Sequence, residues 1–125
     1  CGITGCPPHT EIHKTALGAE DSVDWIYFDS ALDAVNDLKS RGYKVFAVEQ
    51  AEGSISFPLP SEPLADLPSG YAIVLGNEVK GVQQEGVDEC DSCIELPQYG
   101  TKHSLNVATV AGIVIWEFFN YLSIF

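Results

Sequence analysis

The stretch from Tyr71 to Phe125 constrains the fold more than any other part of this 125-residue chain. It begins with a short apolar run that ends at Leu75, passes through the glycine-bounded segment 76–81 and ends in a long apolar segment. A short, continuous apolar run is typical of a strand that is buried on both faces of a parallel sheet. The long apolar segment, which begins at Leu105, predicts a helix.

The upstream half of the chain predicts the same alternation of strands and helices. Ser30 is suited to cap a helix whose apolar residues recur at intervals of three and four up to Leu38, with Gly42 just beyond its end. Tyr43 to Val48 then predicts a second buried strand, and the aromatic run Trp25 to Phe28 predicts a short one. The remaining predicted elements are helices at 13–19 and 82–90, a strand at 94–96, and a proline-rich surface loop at 50–70 with an extended piece at 55–57. This order indicates one α/β domain with a largely parallel sheet, whose ligands bind beyond the carboxyl ends of the strands.

The composition narrows the class of protein. A hydrophobic content of 46% in 125 residues is enough for a single domain with a substantial core. The excess of 18 acidic over 6 basic residues gives a net charge of −12, which repels phosphate backbones. With no signal-like start, the four cysteines are expected to be free thiols in the cytoplasm.

Cys90 and Cys93 have the C-x-x-C spacing of a zinc half-site or a redox pair. Cys1 and Cys6 do not complete a paired zinc motif, because their spacing differs. Cys93 also falls in an apolar strand, where a free cysteine behaves as a small hydrophobe. We therefore predict structural thiols and no metal, with a zinc or thiol protein as the alternative.

The C-terminal helix is apolar on almost every side. Its 21 residues would extend about 31 Å, enough to span a bilayer, but polar residues interrupt it, and Glu117 would be costly in hydrocarbon. We therefore expect no membrane span. Such a helix has to be covered on more than one side, which predicts an isologous homodimer through it; the alternative is packing within one monomer. The predicted inner face comprises Val107, Val110, Ala111, Val114, Phe118 and Leu122, while Ile113, Trp116 and Phe119 lie on other faces.

Several residues of the organising stretch are candidates for a site. Gly76, at the end of a buried strand, allows close approach of the backbone to a ligand. Glu78 follows it at the carboxyl end of the strand, where sites form in α/β proteins. Ser104 is suited to be the N-cap of the last helix. Asn106 is a polar residue in the first turn of an apolar helix, which the fold alone does not explain. Ser-His catalysis by Ser104 and its neighbour His103 is disfavoured because adjacent side chains rarely face each other.

Three runs of residues resemble the sequence motifs of a known family. The run Ile73 to Glu78 with Gly81, then Ile94 to Pro97, then Ser104 to Val107 before an apolar helix resemble, in order, the second and third motifs of the SpoU/TrmH family of RNA ribose 2′-O-methyltransferases, in the SPOUT superfamily. Lys14 to Ala19 also resembles the segment that the family has between its early strands. The resemblance covers almost the whole chain.

This resemblance implies a SPOUT-type α/β knot, a mainly parallel sheet with a C-terminal trefoil knot, which is a rare exception to unknotted topology. It also implies that S-adenosylmethionine binds in the knot. The implied cofactor-binding residues are Val48, Leu75, Gly76, Leu96, Ser104 and Leu105. The implied catalytic residues, near the methyl group and the acceptor ribose, are Glu78, Ser104 and Asn106.

The first motif of the family is not found. It is an Asn-x-Gly segment leading to an arginine that helps to activate the ribose hydroxyl, and neither Arg41 nor any lysine matches it. Residues 1–125 are therefore expected to be the C-terminal two-thirds of one SpoU-type domain, a fragment with weak or no cofactor binding and little methyl transfer. The intact protein is expected to methylate tRNA or rRNA in the cytoplasm. The alternative is a catalytically dead module for cofactor binding or dimerisation.

Overall fold

The structure, a computed structural model, describes residues 1–49, 53–57, 70–76, 81–97 and 106–124. Five helices and four strands follow one another along the described residues. They are α1 (Thr10–Ala16), α2 (Ala19–Ser22), α3 (Ala31–Ser40), β1 (Tyr43–Val48), β2 (Ile55–Ser56), β3 (Gly70–Val74), α4 (Gln84–Glu89), β4 (Ser92–Glu95) and α5 (Val107–Ile124).

The four strands form one sheet with the order β2-β4-β1-β3, and every pair of neighbours is parallel. Strand β1 lies inside the sheet, and three of its residues, Val45, Phe46 and Ala47, are buried. This agrees with its sequence, because a strand covered on both faces has no polar side. The prediction of a largely parallel α/β sheet is thus confirmed. The predicted knot depends on the path of residues 98–105, which lie outside the described residues.

Helix α3 begins and ends as its sequence predicts. The hydroxyl of Ser30 accepts the N–H of Asp33 at 3.1 Å, which is the bond expected of an N-cap residue. Gly42 lies just beyond the helix with a φ of 83°. At the same end, the guanidinium of Arg41 lies 2.9 Å from the carboxylate of Asp37 and over the ring of Tyr43.

Asp91 forms hydrogen bonds at the amino-terminal edge of the sheet. Asp91 Oδ2 accepts the N–H of Val45 at 2.7 Å, and the N–H of Asp91 donates to the carbonyl of Val45 at 2.8 Å. The turn between α4 and β4 is therefore joined to the start of β1.

Helix α5 covers the sheet with one face. Val110, Val114, Phe118 and Tyr121 are buried on it. The ring of Phe118 packs 5.7 Å from that of Phe46 and 5.8 Å from that of Tyr71.

The inner face predicted for α5 is wrong at one position. Leu122 is 48% exposed, and Tyr121 is buried instead. The reason is helical geometry: at about 100° per residue, position 121 is rotated by about 20° from Val110, whereas position 122 is rotated by about 120°.

The other side of α5 is apolar and exposed. Its exposed residues are Ile113, Ile115, Trp116, Phe119 and Leu122, and Trp116 stacks on Phe119 with ring centroids 5.7 Å apart. A search of the described residues identifies no helix with the length and hydrophobicity needed to cross a membrane.

Two predictions near the N-terminus are wrong. Trp25 to Phe28 do not form a strand, and Trp25, Ile26 and Tyr27 are exposed. Strand propensity reflects packing on a pleated surface, and here the run does not pair with the sheet: the carbonyl of Phe28 accepts the N–H of Gly2, in the N-terminal loop. The helix predicted at 13–19 instead begins at Thr10, because a side-chain nitrogen of His9 accepts the N–H of Glu11 as a cap.

Candidate functional site

The carboxyl ends of three parallel strands meet at one edge of the sheet. Val48 of β1 is in register with Ile94 of β4, and Ala47 is in register with Val74 of β3. Leu75 and Gly76 follow β3 at this level, and Leu96 follows β4. The structure thus brings four predicted cofactor-binding residues to the same edge, Val48, Leu75, Gly76 and Leu96.

The side chains at this edge belong to the hydrophobic core. Val48, Leu75 and Leu96 are half-buried and pack against the cluster that includes Val114 and Phe118 of α5. Because these side chains are held by the core, a ligand at the strand ends would meet mainly backbone groups. This is the kind of contact that the resemblance implies.

Gly76 is in close contact with backbone, as its sequence position predicts, but the partner is the chain itself. A Cβ atom at Gly76 would lie 2.2 Å from the carbonyl carbon of Gly81 and 2.3 Å from the nitrogen of Val82. Ordinary carbon contacts are about 3.5–4.0 Å, so no side chain fits at this position. The chain that leaves β3 therefore returns onto it at Gly81.

Glu49 is a residue of this edge that the sequence analysis missed. It directly follows β1, and its Oε1 accepts the N–H of Val82 at 2.7 Å. Its own N–H donates to the carbonyl of Ile94 at 3.1 Å. The only hint in the sequence is an acidic residue placed immediately after a buried strand.

The structure gives Asn106 a structural role. Its Oδ1 accepts the N–H of Ala108 at 2.8 Å, and its carbonyl accepts the N–H of Val110. Asn106 is therefore the N-cap of α5, and the predictions that the helix starts at Leu105 and that Ser104 is its N-cap are wrong. A catalytic role for Asn106 stays a prediction. The other predicted site residues, Glu78, Ser104 and Leu105, lie outside the described residues.

The C-x-x-C pair consists of free thiols, as the sequence predicts. Burial, followed by the nearby Cys93 and Asp91, raises the pKa of Cys90 to about 11, and burial together with Glu49 raises that of Cys93. The Sγ–H of Cys90 donates to the carbonyl of Gly86 at 3.2 Å. Protonated thiols are poor nucleophiles and poor metal ligands. No metal-binding group of three or more His, Cys, Asp or Glu residues occurs in the part of the chain that the structure describes.

A cavity of about 670 Å³ lies beside α1 and α2, and none of the predicted site residues is among the residues that line it. One of its walls contains a hydrogen-bonded pair in which His13 Nδ1 lies 2.9 Å from Glu20 Oε1. The second oxygen of Glu20 is buried without a hydrogen-bond partner in the structure. Since this oxygen has almost no contact with solvent, a ligand in the cavity would not reach it without a rearrangement. The cavity is lined by Pro7, Pro8, His9, Thr10, His13, Glu20, Asp21 and Trp25.

Comparison with known proteins identifies relatives among RNA 2′-O-methyltransferases. The chain is 30% identical over 115 residues to the tRNA (guanosine(18)-2′-O)-methyltransferase of Aquifex aeolicus. This alignment covers 87% of the present chain and 52% of the relative. It is 28% identical over 106 residues to the 23S rRNA (guanosine-2′-O-)-methyltransferase RlmB of Neisseria meningitidis, covering 85% of this chain and 40% of the relative. The chain thus spans about half the length of these relatives, or less.

The fold agrees with the sequence comparison. The crystal structure of the A. aeolicus TrmH/SpoU tRNA modifying enzyme superposes with a TM-score of 0.68 at 26% identity, over 84% of this chain and 51% of that one. The described sheet and helices are therefore those of the α/β SPOUT fold. The sequence profile of the SpoU rRNA Methylase family matches residues 3–116. Because this match spans most of the sequence, the chain belongs to the SpoU rRNA methylase family.

Proposed function

We propose that these residues form the cofactor-binding part of an RNA methyltransferase that transfers a methyl group from S-adenosylmethionine to a ribose 2′-hydroxyl of tRNA or rRNA. The observation that carries the proposal is the edge of the sheet at which β1, β3 and β4 all end. Val48 is the last residue of β1, and Gly76 and Leu96 follow β3 and β4 at the same edge. The reaction class comes from the names of the relatives, which are tRNA and rRNA guanosine 2′-O-methyltransferases. Those names describe proteins about twice as long as this chain or longer.

The residues at this edge fit the cofactor. S-Adenosylmethionine has an apolar adenine face and several polar groups, so it needs a cleft with apolar walls and convergent backbone donors and acceptors. The exposed parts of the half-buried Val48, Leu75 and Leu96 supply apolar surface, and the backbone at these strand ends, including that of Gly76, supplies polar groups. When bound, the cofactor supplies an activated methyl group. Leu105 and Ser104 complete the proposed cofactor-binding set.

The acceptor hydroxyl has to lose its proton as it attacks the methyl group, which requires a positioned base or a cation that lowers the pKa of that hydroxyl. We assign Glu78, Ser104 and Asn106 to this region, as the family motifs imply. The cap hydrogen bond of Asn106 uses its amide oxygen. An amide also carries two N–H donors, and these can hold a ribose oxygen.

Arg41 is not a substitute for the arginine of the family's first motif. It precedes β1, whereas the proposed site lies beyond the carboxyl end of that six-residue strand, a separation of roughly 20 Å. Its guanidinium is already paired with Asp37. We therefore assign methyl transfer to the intact protein and expect little or none from residues 1–125 alone.

Cofactor titration and methyl transfer test the proposal separately. The first measurement is calorimetric titration of the full-length gene product with S-adenosylmethionine. The second follows labelled methyl into tRNA and rRNA transcripts, with alkaline hydrolysis to locate the 2′-O-methyl group, which blocks cleavage. Transfer to ribose supports the proposal, and transfer to a base or absence of cofactor binding refutes it. Cofactor binding without transfer to any RNA favours the catalytically dead module.

We also propose that two copies associate through α5. Exposed apolar side chains on its outer side include Trp116 at 63% and Ile115 at 59%. Large exposed apolar patches mark interaction sites, and a second copy presenting the same patch would bury both in one isologous interface. Sedimentation of the protein over a range of concentrations tests this. A monomer at all concentrations would refute it.

A further inference from the structure

Glu49 joins three segments at the proposed cofactor edge. It continues β1, its N–H binds the end of β4 through the carbonyl of Ile94, and its carboxylate binds the N–H of Val82. Val82 lies 33 positions further along the chain, directly after the segment that leaves β3. A carboxylate that accepts a backbone N–H at 2.7 Å in a partly buried position forms a charge-assisted hydrogen bond, stronger than one between neutral groups.

The surrounding backbone leaves little freedom for this arrangement. Gly81 has a φ of 69°, and a Cβ atom there would lie 2.6 Å from Glu49 Oε1. On its other side, the backbone of Gly81 and Val82 lies against Gly76. The Gly81–Val82 peptide is therefore held between the carboxylate of Glu49 and the backbone of Gly76.

We propose that Glu49 is a positioning residue for cofactor binding, acting through this peptide. By fixing Gly81–Val82 against Gly76, the carboxylate holds the backbone at the end of β3 in one position. A site whose backbone is already held in place loses less conformational entropy when a ligand binds. This inference rests on the proposed function of the edge, and it goes further by assigning a role to a residue outside the family motifs.

A carboxylate of the same kind at the opposite edge provides a matched control. Asp91 Oδ2 also accepts a backbone N–H at 2.7 Å, from Val45, and is also partly buried. It lies at the amino-terminal ends of the strands, away from the proposed site. Removing either carboxylate costs one charge-assisted hydrogen bond, and at Asp91 also the 3.9 Å contact with Lys44, but only Glu49 is expected to influence the cofactor.

The experiment compares Glu49→Ala, Glu49→Gln and Asp91→Ala with the unaltered full-length gene product. Hydrogen exchange at the amide of Val82 measures the contact itself and needs no cofactor. Calorimetry with S-adenosylmethionine, at temperatures where all variants are folded, measures its consequence. Glu49→Ala should accelerate exchange at Val82 and weaken cofactor binding by at least about tenfold, the effect of one such hydrogen bond. Glu49→Gln keeps an acceptor oxygen and should restore most of the affinity, while Asp91→Ala should leave the affinity unchanged.

Any of three results would overturn the inference. Unchanged exchange at Val82 in Glu49→Ala would show that the carboxylate does not hold this peptide. Equal losses of affinity in Glu49→Ala and Asp91→Ala would show a general structural effect. If the unaltered protein binds no S-adenosylmethionine, the proposed function and the cofactor role of Glu49 both fail, whereas faster exchange at Val82 would still establish the contact.

Discussion

Replacing Gly76 by alanine tests the packing of the proposed site most directly. The φ of Gly76 is not in the left-handed region, so an alanine causes no backbone strain and acts through its Cβ atom alone. That atom would lie 2.2 Å from the carbonyl carbon of Gly81 and 2.3 Å from the nitrogen of Val82. Both are backbone atoms, so no flexible side chain can move away, and the two segments have to separate by more than about 1 Å to reach normal contact.

The cost follows from this displacement. Overpacking by one methyl group costs about 1–3 kcal/mol. A shift of more than 1 Å also displaces Val82 relative to Glu49 and distorts the 2.7 Å hydrogen bond between them, and such a bond to a charged group contributes about 1.5–3 kcal/mol. Since moving the backbone relieves the overlap while it weakens the bond, the two losses do not add in full. We expect Gly76→Ala to lower the free energy of unfolding by about 2–4 kcal/mol.

The assay is urea unfolding followed by circular dichroism at 222 nm, with Gly112→Ala as the control. Gly112 lies within α5, is exposed and has nothing within 4 Å of the position of a new Cβ. There, alanine should stabilise the protein by up to about 1 kcal/mol through helix propensity. The same substitution is thus expected to act with opposite signs at the two sites. A change of less than about 1 kcal/mol in Gly76→Ala would refute the close packing of Gly76 on Gly81.

Three further predictions concern α5 and the thiols. Phe118→Ala should lower the free energy of unfolding in urea by about 3–5 kcal/mol, because the ring of Phe118 is buried against two other rings. Phe119→Ala should lower it by less than about 1 kcal/mol in the monomer and weaken self-association in sedimentation. Equal costs for the two variants would contradict the assigned faces of α5. Because the folded-state pKa of Cys90 is raised from 9.0 to about 11, its contribution to stability is complete below pH 9 and is lost as the pH rises towards 11. The free energy of unfolding, measured at several pH values, should therefore decline over this range, and the decline should be smaller in Cys90→Ser. Identical declines in the two proteins would contradict the raised pKa. Elemental analysis of the purified protein should detect no bound zinc, and one zinc per chain would restore the C-x-x-C metal site as an explanation.

Much of the fold was predictable because its strongest local patterns agree with its packing. The run Tyr43–Val48 has no polar side, and the sheet buries it on both faces as β1. Ser30 caps α3 because its hydroxyl can reach an N–H three residues on. The strand order β2-β4-β1-β3 was not predictable in this way. It depends on long-range packing, such as that of Ile94 against α5, which no local pattern encodes.

The position of Gly76 was predictable, but its contacts were not. A glycine after an apolar run predicted a strand end there, and Gly76 does follow β3; its role at a cofactor site stays a prediction. Glu49 was missed because an acidic residue after a strand is also typical of a solvated loop, and local sequence does not reveal an acceptor role towards an amide 33 positions away. The N-cap of α5 was predicted at Ser104 and not at Asn106, although serine and asparagine both suit that position. The structure assigns it to Asn106, whose side chain meets the N–H of Ala108.

The distribution of charge around the sheet bears on how RNA could be held. At the amino-terminal edge, Lys39 donates to the carbonyl of Glu89, Arg41 pairs with Asp37, and Lys44 lies 3.9 Å from Asp91. The carboxyl edge, within the described residues, carries acidic groups: Glu49 binds Val82, and Glu95 accepts the hydroxyl of Ser54 at 2.9 Å. A negative edge suits a cationic sulfonium and repels phosphates. Under the proposed function, contacts to the RNA backbone are therefore expected from basic residues away from this edge, and the affinity for RNA should fall steeply with salt while the affinity for the cofactor changes less.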